Sequence, residues 1–179
     1  MSAREMTGCA LFAALTATGA FIRIPVLHTV VTLQFFFTAM AGLLLGARLG
    51  ALSQVLYVAL GLAGLPVFAA GGGLGYLFHP TCGFVLALIP TAWVIGKAAR
   101  KGSRSPARIA LACAVGLVVL YAVGLPYLAW IVTVYQGNAV SVNVLTAAYM
   151  LPYLPGDLLK VSACALTAPR ILRSLHGNF

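Results

Sequence analysis

Six apolar runs follow one another through this 179-residue chain, at residues 7–22, 35–47, 49–64, 81–98, 109–125 and 155–173. At roughly 20 residues per membrane span, six spans nearly exhaust the length. Only 7% of the residues are charged, against about a quarter in a soluble domain, and the mean hydropathy is +1.04. An integral membrane protein follows. Nineteen glycines and hardly any polar–apolar alternation favour helices over a transmembrane barrel. With no room for a soluble domain, residues 1–179 read as one all-α transmembrane domain of six helices.

The stretch Leu154-Pro155-Gly156-Asp157-Leu158-Leu159-Lys160 stands out against that background. The chain has two acidic residues, and one of them, Glu5, sits near the N-terminus beside Arg4, where water can solvate it. Asp157 and Lys160 lie inside an apolar run. Three positions apart on a helix they share a face, close enough to reach each other or one ligand. An ionisable side chain at membrane depth costs about 2.5–3.5 kcal/mol on insertion scales and marks a functional site by default. Residues 155–173 would span roughly 28 Å as a helix, close to one hydrocarbon thickness.

The first run carries two overlapping small-xxx-small pairs, Ala10/Ala14 and Ala13/Ala17. They form a smooth face suited to close helix approach, either inside the bundle or by a partner. In the following loop, Pro25 bars a continuous helix, and Val30, Val31 and Thr32 favour an extended path. The loop is too apolar to float in water, so it is predicted to fold back over the bundle as a lid. Gln34 opens the second helix, and Arg48 and Gly50 mark a tight turn into the third.

Residues 65–80 form a long connector containing Gly71-Gly72-Gly73-Leu74-Gly75-Tyr76, on which nothing forces secondary structure. No Lys-Ser/Thr follows as in a P-loop, and Phe78 occupies the third glycine position of a dinucleotide fingerprint. Such glycines let backbone approach a ligand or a neighbouring helix, or simply flex. His79 reads as a loop or cap residue. A kink is expected at Pro90, and a break at Pro126 followed by an interfacial stretch ending at Trp130. Gln136-Gly137-Asn138 reads as a polar turn.

The net charge of +9 is spread singly or in the one short loop holding Lys97, Arg100, Lys101, Arg104 and Arg108. No aromatic–basic face accompanies it, which excludes nucleic-acid binding. With six spans, nine basic residues fall on one side and Arg23 alone on the other. Both termini are therefore expected in the cytoplasm. The Pro25 loop, the glycine-rich connector and the Asp157/Lys160 end then face outside. Cys9, Cys82, Cys113 and Cys164 are scattered among apolar residues. They suggest small-residue packing and no metal site.

Several motifs, in order along nearly the whole chain, resemble the BioY biotin transporters. They are Thr32-Leu33-Gln34 after an Ile-Pro loop; residues 42–53, reading Gly-Leu-Leu-Leu-Gly-Ala-Arg-Leu-Gly-Ala-Leu-Ser; Gly64-Leu65-Pro66-Val67-Phe68-Ala69; and the 154–160 stretch. Members of that family are substrate-binding S components of energy-coupling-factor (ECF) vitamin transporters. The resemblance implies a six-helix fold in the cytoplasmic membrane of a bacterial-type cell, crossing it several times. It implies capture of biotin on the outer face, with a transmembrane coupling protein and two ATPases supplying the energy. The small-residue face of Ala10, Ala13, Ala14 and Ala17 would dock on the coupling protein, and Asp157 and Lys160 would bind substrate. The chain departs from the family pattern at His79, often glycine, and at Pro80-Thr81-Cys82-Gly83-Phe84, usually Pro-Thr-Gly-Gly-Tyr.

Biotin offers two ureido N–H donors, a polar carbonyl, an apolar ring and a carboxylate tail. Asp157 can accept the N–H groups and Lys160 can donate to an oxygen. Gln34, Thr32, Gly73, Tyr76 and Tyr153 complete the expected substrate site, with Phe35, Phe36 and Tyr149 as further wall candidates. A related vitamin is the alternative cargo. A small membrane enzyme using Asp157 and Lys160 as acid and base is the alternative class. It lacks a nucleophile–base pair, a second acid and a metal cluster, so no enzymatic activity, catalytic residue or cofactor is expected. A passive channel would need a polar path through both halves of the bilayer, and the polar candidates lie only in the outer half.

Overall fold

The structure, a computed structural model, describes residues 1–26, 29–99, 105–135 and 141–176. Helix α1 (Ala3–Phe21) opens with a capping box. Ser2 Oγ accepts the Glu5 N–H, and the Glu5 carboxylate accepts the Ser2 N–H. Strands β1 (Arg23–Val26) and β2 (Thr29–Thr32) then pair antiparallel, Arg23 opposite Thr32 and Ile24 opposite Val31. The expected extended path is thus a two-stranded hairpin, an addition to an otherwise helical fold.

Helix α2 (Gln34–Leu62) is broken at Gly46, whose φ of 82° and ψ of 176° only glycine adopts without strain. The contacts on either side show the chain reversing there. Gly50 lies against Gly42, Thr38 bonds Gln54, and Gln34 bonds Tyr57, pairs nearly equidistant from Gly46. The second and third predicted helices are therefore antiparallel arms, 34–45 and 47–62. The reversal falls at Gly46 and not at Arg48/Gly50, because positive φ decides the position.

The connector is more ordered than its composition suggests. Phe68 and Gly71 exchange backbone hydrogen bonds, and a 3-10 turn forms at Leu74–Phe78. Helix α3 (Cys82–Ala98) continues through Pro90. Helix α4 (Pro106–Trp130) continues through Pro126 into a π-helical turn at Ile131–Tyr135. The predicted break at Pro126 does not occur: α4 stays helical through the proline, as helices in an apolar bundle can. Helix α5 (Val142–Tyr149) was not anticipated, and α6 (Leu154–His176) ends the fold. His28, residues 100–104 of the basic loop and the predicted turn at 136–138 lie outside the described residues.

Neighbouring helices pack in sequence, α1 on α2, α2 on α3, α3 on α4 and α4 on α6, and α6 closes back on α2. Close approach depends on small residues. A Cβ on Gly96 would overlap the Ala47 backbone, and one on Gly42 would meet the Ala92 carbonyl. A fully buried polar cluster joins α1 to both arms of α2. Gln54 Oε1 accepts from Thr38, and its amide donates to Thr16 Oγ1 at 3.2 Å and Ser53 Oγ at 3.1 Å. With every member partnered, the cluster specifies register. The four cysteines are buried and unbridged.

The outward surface suits lipid. Leu11, Leu111, Val118, Leu158, Leu159 and Leu166 are each more than half exposed. Helix Pro106–Tyr135 has the length and hydropathy to cross a membrane, the two arms of Gln34–Leu62 are together strongly apolar, and Cys82–Ala98 is a shorter apolar helix. Helix α6 inverts the usual amphipathic pattern. Asp157 and Lys160 face the interior at 3% and 9% exposure, while Leu158 and Leu159 point outward.

Gly96→Val is expected to cost about 1–3 kcal/mol by wedging α3 away from α2. The check is a lower thermal transition for the detergent-purified variant than for the parent.

Candidate functional site

Asp157 and Lys160 emerge on one face of the first turns of α6. Their Oδ1 and Nζ atoms form an ion pair at 2.5 Å. A third group completes the arrangement: Tyr121 on α4 donates its hydroxyl to Asp157 Oδ2 at 2.5 Å. Both carboxylate oxygens thus have partners. Lys160 Nζ lies 3.4 Å from the Thr32 carbonyl of β2 and 5.6 Å from the centroid of the Phe35 ring. That carbonyl acceptor and π face supplement the carboxylate around a buried ammonium.

Beside Lys160 is a cavity of about 300 Å³, the lower end of the range for small-molecule sites. Lys160, Thr32, Gln34, Tyr76 and Tyr153 line it, as the sequence suggests, and so do Phe35 and Tyr149. Asp157 is not on the wall; it holds Lys160 from behind. Phe36 is not on the wall either and packs edge-on against Phe37 at 5.3 Å. Gly73 is placed elsewhere as well. With φ 92° it donates its N–H to the Gly61 carbonyl at 2.7 Å, tying the connector to the second arm of α2. Its backbone approaches a helix and not the cavity.

The hairpin expected as a lid packs along one side of the cavity. Val31 is buried and lines the cavity, and a Cβ on Gly156 would overlap its side chain, so β2 rests directly on the start of α6. Arg23 donates to the Ala69 carbonyl at 2.7 Å, joining the hairpin to the connector. Gln34 is oriented on both sides. Its Oε1 accepts from Thr32 Oγ1 at 3.0 Å, and its Nε2 donates to Tyr57 Oη, which donates to the Val67 carbonyl.

Tyr121, Phe84 and Thr81 are wall residues that the sequence reading missed. Tyr121 was findable, since it carries the sole side-chain oxygen in the run 109–125. Phe84 meets Tyr121 edge-on at 6.1 Å and brings no hydroxyl to the wall. Burial pushes the Tyr76 phenol above its usual range, its hydrogen bond with Thr81 opposing the shift, so it stays neutral. The small-residue face of α1 divides. Ala13 is in the core and Ala17 packs against it, whereas Ala10 and Ala14 are exposed.

This fold and chemistry can be set against known proteins. The BioY family model matches residues 1–177. The chain belongs to the BioY family. A protein of Lysinibacillus sphaericus named "Probable biotin transporter BioY" is 39% identical over 165 residues, covering 92% of this chain and 84% of the relative. "Biotin transporter BioY" of Rhodobacter capsulatus is 37% identical, covering 94% and 93%. Among solved structures, one titled as the S-component for biotin from an ECF-type ABC transporter superposes with a TM-score of 0.67 at 23% identity. It covers 97% of this chain and 95% of that one. This BioY chain therefore shares the S-component fold.

In this BioY chain Tyr121→Phe removes one of the two hydrogen-bonding partners of a buried carboxylate. A loss of about 1.5–3 kcal/mol is expected, read as a lower melting temperature in detergent with the helical circular-dichroism signal retained.

Proposed function

We propose that this chain is the substrate-capturing S component of an ECF transporter and that its cargo is biotin. The observation that carries the reading is the buried Asp157–Lys160 pair against a cavity of about 300 Å³ that the hairpin helps to line. The names of its BioY relatives support biotin as the cargo. In this reading Lys160 donates to an oxygen of the ligand, held in place by Asp157 and Tyr121. Thr32, Gln34, Tyr76 and Tyr153 offer further polar contacts, and Phe35, Phe84 and Tyr149 enclose the apolar ring and chain. Because Asp157 is already engaged on both oxygens, its direct use by a ureido N–H requires one partner to yield.

The two arms of α2, together with α1, α3, α4 and α6, supply six spans in a single domain. The asymmetry of basic residues puts both termini in the cytoplasm and the hairpin outside. The chain then sits in the cytoplasmic membrane as a multi-pass protein. Ala10 and Ala14, exposed on α1, offer a smooth surface for a coupling protein that two ATPases drive. Ala13 and Ala17 serve the chain's own core instead.

Titrating detergent-purified protein with biotin, followed by the fluorescence of Trp93 and Trp130 or by heat, tests the cargo. Truncating one member of a buried charge pair costs about 2–5 kcal/mol. Lys160→Ala is therefore expected to weaken binding on the order of 30-fold or more. Asp157→Asn should weaken it too, by releasing Lys160. Parent-like affinity in both variants, with intact size-exclusion profiles, would remove the pair from the site. Tighter binding of another vitamin than of biotin would change the cargo.

A further inference from the structure

At the part of the cavity wall formed by Tyr76 and Thr81 lies a short relay of hydrogen bonds. Thr81, just before α3, donates its backbone N–H to His79 Nδ1 at 3.3 Å. That bond makes Nδ1 an acceptor and puts the ring proton of neutral His79 on Nε2. Thr81 Oγ1 is also 2.7 Å from Nδ1, so its hydroxyl is the donor there. With its one hydrogen used, Thr81 Oγ1 must accept from Tyr76 Oη, 2.9 Å away. The chain therefore runs one way, from Tyr76 O–H to Thr81 O–H to His79 Nδ1. The imidazole also stacks on the Tyr76 ring, with centroids 5.1 Å apart and planes at 17°. Tyr76 and Thr81 line the cavity, whereas His79 stands behind them, partly open to solvent.

We propose that His79 is a positioning residue that sets the hydrogen-bonding polarity of the Tyr76 side of the cavity. With His79 neutral, Tyr76 spends its proton on Thr81 and offers a ligand only its oxygen lone pairs. Protonated His79 has donors on both nitrogens. Nδ1–H then donates to Thr81 Oγ1, the Thr81 hydrogen turns to Tyr76 Oη, and the Tyr76 hydrogen is released toward the cavity. The Thr81 N–H loses its acceptor. Acceptor becomes donor, which disfavours a ligand presenting N–H groups. The expected direction rests on the biotin reading, because biotin's ureido ring presents two such donors.

Tyr76 stacks on His79, the Cys82 N–H donates to the His79 carbonyl, and on either side Tyr127 of α4 donates to the Leu77 carbonyl and Tyr135 stacks on Phe78. Phenols and thiols ordinarily titrate above about pH 8 and histidine near about 6.5. The range from about pH 5.5 to 7.5 brackets ordinary histidine chemistry and lies below that of phenols and thiols. The charged pair belongs to α6 and is common to the parent and the variants below.

The experiment has two readouts on the full chain in detergent. The first is the side-chain nitrogen resonances of ¹⁵N-histidine, with His79 assigned by its loss in His79→Gln. At pH 7.5 they should report an unprotonated, hydrogen-bonded Nδ1 that shifts in Thr81→Val. The second is biotin affinity at pH 7.5 and 5.5. The parent is expected to weaken about fivefold on acidification, the scale of one neutral hydrogen bond. His79→Gly and Tyr76→Phe should lose that difference. His79→Gln, whose amide oxygen can accept from Thr81 at either pH, should hold its affinity at both. Parallel weakening of parent and His79→Gly, or a protonated Nδ1 at pH 7.5, would overturn the proposal. A parent that binds no biotin at either pH would sink the cargo reading instead, and the nitrogen resonances then decide the relay by themselves.

Discussion

One ion pair, between Asp157 and Lys160, gives its end of this bundle its arrangement. Two opposite charges removed from water lose most of their mutual attraction to desolvation, so the pair by itself adds little stability. Its neighbours offset that loss. Tyr121 satisfies the second carboxylate oxygen, while the Thr32 carbonyl and the Phe35 ring face the ammonium. Those partners come from α4, β2 and α2, so meeting the pair's hydrogen-bonding needs brings three elements to the head of α6. The cavity lies where they converge.

The hairpin is part of the same arrangement. Its β2 strand supplies a carbonyl to Lys160 and a buried valine against Gly156, and Arg23 at the start of β1 reaches the connector. A lid attached to the charge that would meet the ligand is placed to respond when that charge finds a new partner. Deeper in the bundle, the Gln54 cluster and the Gly42/Gly96 approach make a tight scaffold. Side chains on such a scaffold can hold their geometry without help from loops.

Much of this was legible from the residues because a charge in an apolar run is costly enough to need a reason. Asp157 and Lys160 declared themselves on that ground, and Thr32 and Gln34 did so through the motif resemblance. Tyr121 stood out as the sole side-chain oxygen in the run 109–125, but its partner, 36 positions away, is set only by the packing of α4 on α6. The two alanine stripes on α1 look alike in sequence, and which one faces inward depends on where α2 docks. Pro126 misled because a proline that would end an exposed helix is tolerated inside an apolar one packed in a bundle. Gly73 lies off the cavity wall, where its close backbone approach serves a helix.

The central claim is that a buried ammonium, kept in place by a carboxylate and a phenol, grips a small polar ligand in the cavity beside it. A crystal structure of the chain with biotin tests this most directly. The account predicts ligand density filling the cavity, with a biotin oxygen within hydrogen-bonding distance of Lys160 Nζ and the hairpin closed above it. Biotin bound elsewhere on the chain, with the Lys160 cavity empty, would contradict it.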